Sequence, residues 1–493
     1  MKRIPLAAAF WTMCGTAAAE GAPQAAIELY VDTATRQIFA EPGPGRQRLG
    51  KFVQASEEVA PAGSAVAGTA SSAAAPAVSP ASAAAPASAS ASASGASVAA
   101  ASHGAPVASK AGSSSSKAWY DKLSLRGYIQ MRYNQGLDDG AKDLKSPGDR
   151  FIGRDQGFGI RRARVVISGD VSDKMSIYIQ PDLASTPSGS STTHFAQLRD
   201  AYADLWLNKE KTWRIRAGQS KIPYGWEDLQ SSQNRLALDR ADALNSGVRD
   251  ERDLGVFAYW SPAVAKERFS YLQKSGLKGS GDYGMFGIGV YNGQGANRPD
   301  RNDQLHTVVH FSYPFKFANG QYLEVGADAY TGRYVVSTGA ATINGATFTP
   351  RVDAPEEGSV DRRVAAHVVY FPQPFGFQAE WTVGKGPELD VARRIIRTKS
   401  LRGGYAQVMY KFDGEFGSLM PYTKWQTYRG ASKFDTNAPK MKVDELEAGV
   451  EWQPSSAVEL AVAFANMRRT DVSAAPYAMA KGKLLRVQLQ VNY

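Results

Sequence analysis

From Trp119 to Tyr493 apolar and polar side chains alternate every second residue in segment after segment, and a period of two leaves a chain few folds. The closing stretch shows it most plainly. Leu485, Val487, Leu489, Val491 and Tyr493 share one face, while Arg486, Gln488, Gln490 and Asn492 take the other. Bacterial outer-membrane barrels commonly end on an aromatic at the apolar face, where the last strand pairs with the first and removes both sheet edges. Taken alone, these residues fit a strand of a soluble β-sandwich equally well.

The earlier segments separate the two readings. Leu123, Leu125, Gly127, Ile129 and Met131 oppose Ser124, Arg126, Tyr128, Gln130 and Arg132, and Ala163, Val165 and Ile167 oppose Arg162, Arg164 and Ser168. The pattern returns in Leu323–Tyr330, with Glu324 and Asp328 on the polar face, in Phe377–Val383, with Gln378 and Glu380, and in Glu445–Trp452. A sandwich would rarely keep one face this charged over so many strands, whereas a lipid-facing outside and a watered lumen explain both faces. The fold class expected is therefore all-β, a transmembrane antiparallel barrel of about sixteen strands. Their starts are expected near 122, 158, 174, 197, 212, 253, 281, 304, 321, 363, 375, 403, 418, 443, 457 and 484. Short connections such as 169–173, 208–211 and 453–456 suit the periplasmic side; the long ones, 182–195, 223–252, 334–361 and 386–401, suit the outside.

Composition is consistent with this. Mean hydropathy is −0.33, and past the first twenty residues no apolar run could span a membrane as a helix, which excludes helical membrane proteins but not barrels. Residues 1–19, with Lys2 and Arg3 before an apolar run and Ala17-Ala18-Ala19 at its end, read as a signal peptide. The single cysteine, Cys14, lies inside it, so the mature chain is expected to have no disulfide, no Cys-bound metal and no cofactor. Residues 20–54 read as a short periplasmic β-hairpin with a Pro-Gly-rich exit, residues 55–116 as a disordered Ala/Ser/Pro linker, and 117–493 as the barrel. Loss of Lys2 and Arg3 lowers the formal charge from +10 to +8. A basic exported protein suits anionic or polar solutes and lipopolysaccharide phosphates, not nucleic acid.

The loop 223–252 is the longest connection, at the position where large porins fold a loop inward to narrow the pore. It carries Glu227, Asp228, Asp239, Asp242, Asp250 and Glu251, with Asp253 at its end, against Arg235, Arg240, Arg249 and Arg252. Facing it, parity collects lumenal arginines: Arg126 and Arg132, Arg162 and Arg164, Arg214 and Arg216, and Arg486. Guanidinium groups keep their charge and fork onto anions, which suits a hydrated anion path. The plainer alternative is that they pair with Asp182, Asp200 and Asp204 and only stiffen the wall.

The segments Gly159-Ile160-Arg161-Arg162-Ala163-Arg164, Leu198-Arg199-Asp200-Ala201-Tyr202-Ala203-Asp204, Gly218-Gln219-Ser220-Lys221-Ile222-Pro223, Gly289-Val290-Tyr291-Asn292-Gly293 and Gly449-Val450-Glu451-Trp452 occur in that order. Together they resemble the phosphate-selective porin O and P family over roughly 123–493. The resemblance implies a trimeric sixteen-stranded barrel with inward loops and an arginine-lined pore for phosphate or polyphosphate, and places the family's paired arginines on Arg161 and Arg162. Two departures accompany it. Parity points Arg161 outward unless a bulge re-aims it, and the net acidic loop opposes strong anion selectivity. The function expected is a passive outer-membrane channel for small hydrophilic solutes with a lean toward anions. A general diffusion porin is the alternative, and an adhesin or receptor barrel the alternative of another class. A hydrolase would need a Ser, His and acid set, yet no nucleophile motif accompanies His103, His194, His306, His310 and His367. His306 and His310 share the lumenal face without a third clear ligand, so no metal site is expected.

Overall fold

The computed structural model describes residues 27–32, 38–39, 41–44, 46–52, 119–153, 157–186 and 194–493. The expected signal peptide and linker, with His103, lie outside them. The chain divides into two units, Met1–Ala108 and Ser109–Tyr493.

In the first unit Ile27–Asp32 is the centre of a three-stranded antiparallel sheet, flanked by Ile38–Phe39 and by Arg46–Phe52. The Pro-Gly stretch expected to lead out of a hairpin is instead a turn into the third strand, closed by the Arg46 N–H on the Gly43 carbonyl at 3.1 Å. Arg48 pairs with Glu28 across the sheet at 2.8 Å.

The second unit is a closed barrel. Its long strands among the described residues are β1 (Leu123–Gly136), β2 (Gly157–Ser172), β3 (Met175–Ser185), β4 (Phe195–Trp206), β5 (Trp213–Lys221), β6 (Arg252–Trp260), β7 (Phe286–Tyr291) and β8 (His306–Lys316). There follow β9 (Tyr322–Tyr334), β10 (Ser359–Tyr370), β11 (Phe375–Asp390), β12 (Ile395–Tyr410), β13 (Gly417–Ala431), β14 (Lys440–Ser455), β15 (Val458–Thr470) and β16 (Met479–Asn492). Each pairs antiparallel with the next. β16 closes on β1, from Leu484 opposite Gly136 to Asn492 opposite Tyr128, and Tyr493 and Gly127 exchange two backbone hydrogen bonds at 2.7 and 3.0 Å. No unpaired edge remains between the first strand and the last.

The two faces are inverted relative to a soluble protein. Leu125, Ile129, Val256, Ile288, Val364, Leu446 and Trp452 stand exposed on the outside, while Arg132, Arg162, Arg164, Arg216, Arg363 and Arg486 are buried on the inside. Around β5 to β8, Trp213, Trp260, Phe286 and Phe311 follow one another in ring contact with centroids 5.0–5.9 Å apart, an aromatic belt near the end of the barrel that holds its termini. Water would not tolerate such an outside, and hydrocarbon would not tolerate such an inside exposed to it. The barrel therefore spans a membrane. Val364→Arg, in the middle of β10, is expected to cost about 2–4 kcal/mol in urea unfolding from lipid vesicles. A change within about 0.5 kcal/mol, usual for a watered surface site, would contradict a lipid-facing outside.

Two connections differ from expectation. Residues 386–401, expected as a long outer loop, are the ends of β11 and β12, which leave only 391–394 between them. The Gly, Pro and charged residues there read as loop because they lack an apolar outer face. The hairpin rises clear of hydrocarbon, where cross-strand ion pairs hold it: Arg397 to Asp390 at 2.7 Å, and Lys399 to Asp390 at 3.4 Å and Glu388 at 3.8 Å. Conversely, the β6–β7 connection at the terminal end is not short, and contains the helix α3 (Ala263–Lys274).

Candidate functional site

β5 ends on Lys221, whose ammonium donates to the Leu229 and Gln230 carbonyls, both at 2.8 Å. The chain then turns through Gly225, at a φ of 84° that a side chain would strain, into the short helix α1 (Trp226–Leu229), and later forms α2 (Asp242–Asn245). Between Ile222 and Glu251 the segment is bonded to lumenal side chains of many strands. Arg132 of β1 donates to the Leu238 carbonyl at 2.9 Å and to Asp239 Oδ2 at 3.0 Å. Tyr128 of β1 bonds Ser232 at 2.6 Å. Arg363 of β10 donates to the carbonyls of Ala243 at 3.1 Å and Ser246 at 2.8 Å, and Glu380 of β11 accepts the Trp226 N–H at 2.7 Å.

Most of the acids of the segment are consumed in these contacts. Asp239 pairs with Arg132 and with Arg486, and Asp242 with Arg469 at 2.8 Å. Glu227 pairs with Lys424, Glu251 with Arg240 at 2.6 Å and Arg252 at 2.7 Å, and Asp250 with Arg199 at 3.0 Å. Asp228 lies 3.5 Å from Arg240, and Asp253 accepts the N–H groups of Gly293 and Gly295. Beside the Asp239 carboxyl, Arg132 and then Arg486 outweigh burial and hold it well below the usual carboxylate range.

Above this network lies a cavity of about 860 Å³. β2 contributes Arg161, Arg162 and Arg164 to its lining, β4 Arg199, and the 222–251 segment Arg235 and Arg240. They differ in their partners. Arg164 is paired with Asp182 at 2.8 Å. Among the described residues Arg161, Arg162 and Arg235 have no ion-pair partner: Arg161 donates to the Gly148 carbonyl, Arg162 to Gln130 Oε1 at 2.8 Å, and Arg235 to the Leu238 carbonyl at 3.1 Å. Each leaves its Nε without a partner. Burial, and then the neighbouring charge of Arg240, lower the proton affinity of Arg235, against the opposing pull of Asp239. Two buried guanidinium groups and a half-buried one, none of them ion-paired, in one cavity favour an anion there.

How Arg161 comes to share the cavity with Arg162 is a matter of register. Gln130 faces Arg162 and Met131 faces Ile160, so Arg161 is the extra residue of a β-bulge. β4 repeats the device: Gln180 faces Asp200 and Pro181 faces Leu198, leaving Arg199 as the extra residue, with Arg199 and Asp200 both buried. A charge turned toward lipid costs about 2–4 kcal/mol at mid-depth. Two successive charged residues inside an alternating strand are thus accommodated by a bulge, and Arg199, which parity reasoning missed, carried that same signal in its pairing with Asp200.

The other expected residues lie elsewhere. Arg486 and Asp242 line a small neighbouring cavity with Asp239, Arg240 and Lys424. Arg132 braces Asp149 at 2.8 Å. Arg216 pairs with Asp204 at 2.7 Å, Arg214 donates to the Asp282 carbonyl, and Arg126 donates to Ser168 at 2.8 Å. These three lie toward the terminal end of the barrel, outside the large cavity. From that end the β6–β7 connection reaches the loop: Lys278 pairs with Glu451 at 2.5 Å and Glu459 at 3.2 Å, and its carbonyl accepts from Gln230 at 2.5 Å.

A membrane-spanning barrel with a charged interior and an arginine-lined cavity has the build of an outer-membrane channel. Residues 129–493 match the family described as phosphate-selective porin O and P, and the chain belongs to that family. It is a porin of the bacterial outer membrane. No curated protein matches the chain. Among solved structures it is similar to an OmpT of Vibrio cholerae in trimer form (10% identity, 75% of this chain and 99% of that one, TM-score 0.44). It is also similar to the outer membrane channel DcaP of Acinetobacter baumannii (13%, 75% and 97%, 0.45) and to an anion-selective porin from Comamonas acidovorans (10%, 75% and 99%, 0.41).

Proposed function

We propose that the protein is a passive channel for small anions, in which the segment 222–251 is an inward-folded constriction loop and Arg161, Arg162, Arg164 and Arg235 hold the anion in transit. The observation that carries this is a set of three arginines without an ion-pair partner in one cavity, Arg162 and Arg235 buried and Arg161 half-buried. The acidic composition of the loop does not oppose it, because the wall's cations and backbone N–H groups take up those carboxylates. Phosphate fits the site through forked hydrogen bonds from guanidinium groups. On this reading the long loops face the medium, the chain assembles as the homotrimer that family resemblance implies, and outer-membrane lipid and lipopolysaccharide surround it.

Planar-bilayer recording of the purified mature protein tests it. Chloride current is expected to appear in groups of three steps and to fall as inorganic phosphate is added. Chloride current indifferent to phosphate would assign a general diffusion porin instead, and no current at all would favour a closed receptor barrel.

A further inference from the structure

Beneath the first turn of the 222–251 segment, four neighbouring strands bring lumenal histidines and carboxylates to one level. His310 faces Asp328 across β8 and β9, Gly326 of β9 faces His367 of β10, and His367 faces Glu380 of β11. One ligand atom each from Asp328, His367 and Glu380 lies within 4.8 Å of the others, and all three residues are buried. Glu324 Oε1 stands 4.0 Å from His367 Nε2. Among the described residues no Lys or Arg ion-pairs with Asp328, Glu324 or Glu380, so three buried carboxylates share only two imidazoles. Two atoms in the cluster are orphans: Nδ1 of His367 and Oε2 of Glu324.

We propose that Asp328, His367 and Glu380 form a binding site for one divalent transition-metal cation of the zinc type. An imidazole with two carboxylates is a donor set that such ions take, and a fourth position is open to Glu324 or water. Donor atoms around one zinc lie about 3.3–3.6 Å apart, so a closure of roughly 1 Å completes the site. The outer contacts that ligands need are present. Asp328 Oδ1 bonds His310 Nδ1 at 2.5 Å and Oδ2 accepts the Gly225 N–H at 2.9 Å, while Glu380 accepts the N–H groups of Trp226 at 2.7 Å and Glu227 at 3.1 Å. Gly326 makes room, since a Cβ there would come 2.4 Å from the His367 ring. The ion offsets the carboxylate charge and, through those three N–H groups, fixes the loop's first turn to the wall.

The test is zinc uptake by the full mature protein in detergent after stripping with EDTA, read as metal content after dialysis and as the shift in Tm. The wild type is expected to retain one zinc per chain and to melt higher with it. His367→Ala and the near-isosteric Glu380→Gln are each expected to bind about tenfold or more weakly. His194→Ala, at an exposed histidine outside the cluster, is expected to bind as the wild type does. Absence of uptake by the wild type, equal uptake by Glu380→Gln, or loss of uptake in His194→Ala would overturn the proposal. Should His367→Ala fail to fold, Glu380→Gln decides alone. None of these outcomes depends on whether the channel prefers anions.

Discussion

Replacing Arg161 and Arg162 together by alanine is expected to raise the phosphate concentration that half-blocks chloride current by about tenfold to a hundredfold, with a parallel loss of anion preference. The magnitude corresponds to a net loss of about one charge-assisted hydrogen bond to the anion, worth about 1.5–3 kcal/mol. Stability should change little. The two guanidinium groups have no carboxylate partner among the described residues, so their removal strands only the Gly148 carbonyl and the Gln130 amide oxygen. Arg164→Ala makes the contrast, because it leaves the buried Asp182 without its ion pair. That variant should lose stability as well as anion affinity, on the order of 3–5 kcal/mol for a buried charge left alone. Equal stability losses in both variants, or phosphate block unchanged in the double variant, would mean that these arginines are structural and the anion passes elsewhere.

The second large effect is expected from Asp239→Ala, which removes the carboxylate joining the loop to Arg132 and Arg486. Two buried guanidinium groups then share Asp149, 2.8 and 2.7 Å away, and Arg486 keeps Glu447 at 2.9 Å. The loss is on the order of 3–5 kcal/mol. It should appear as a lower unfolding temperature and as larger, noisier single-channel openings, since the loop is freed on the side facing β1 and β16. The pH dependence has a definite sign. A carboxyl whose folded pKa lies below its unfolded value of about 3.9 stabilises fully above that value, and loses its contribution only as pH falls through the lower folded one. The stability that the wild type gains over Asp239→Ala should therefore be steady on acidification to about pH 4. A wild-type stability advantage over Asp239→Ala that shrinks between about pH 6 and 4 would show that Asp239 does not hold the loop.

Most of the barrel was legible in the alternation of residues. Most strand starts fall within four residues of expectation; β7, β12 and β16 depart further, by five to eight. The departure at β12 has a physical cause: alternation reports only the part of a strand with hydrocarbon on one side. Ile395–Ser400 continues the strand in water, where ion pairs replace the apolar face, and that part reads as loop. The helix α3 left no such signature, being too short and too polar outside to resemble a spanning element.

The site was half legible. Parity sent Arg162 and Arg164 inward, and the structure places both in the large cavity. It could not separate paired from unpaired arginines. That difference is set by which carboxylates the bulges and the 222–251 segment carry into reach, a long-range matter invisible to a period of two. The clustering of His367 with Asp328 and Glu380 was hidden for the same reason, since each is an ordinary lumenal position on its own strand and register brings them level.

On the proposed reading, guanidinium groups without an ion-pair partner make this pore prefer anions. The zero-current potential across a KCl gradient in a planar bilayer measures that preference directly. The sign of a chloride-selective channel is expected, moving toward zero in the Arg161→Ala/Arg162→Ala variant. A wild-type potential at zero, or one of the potassium-selective sign, would contradict the account.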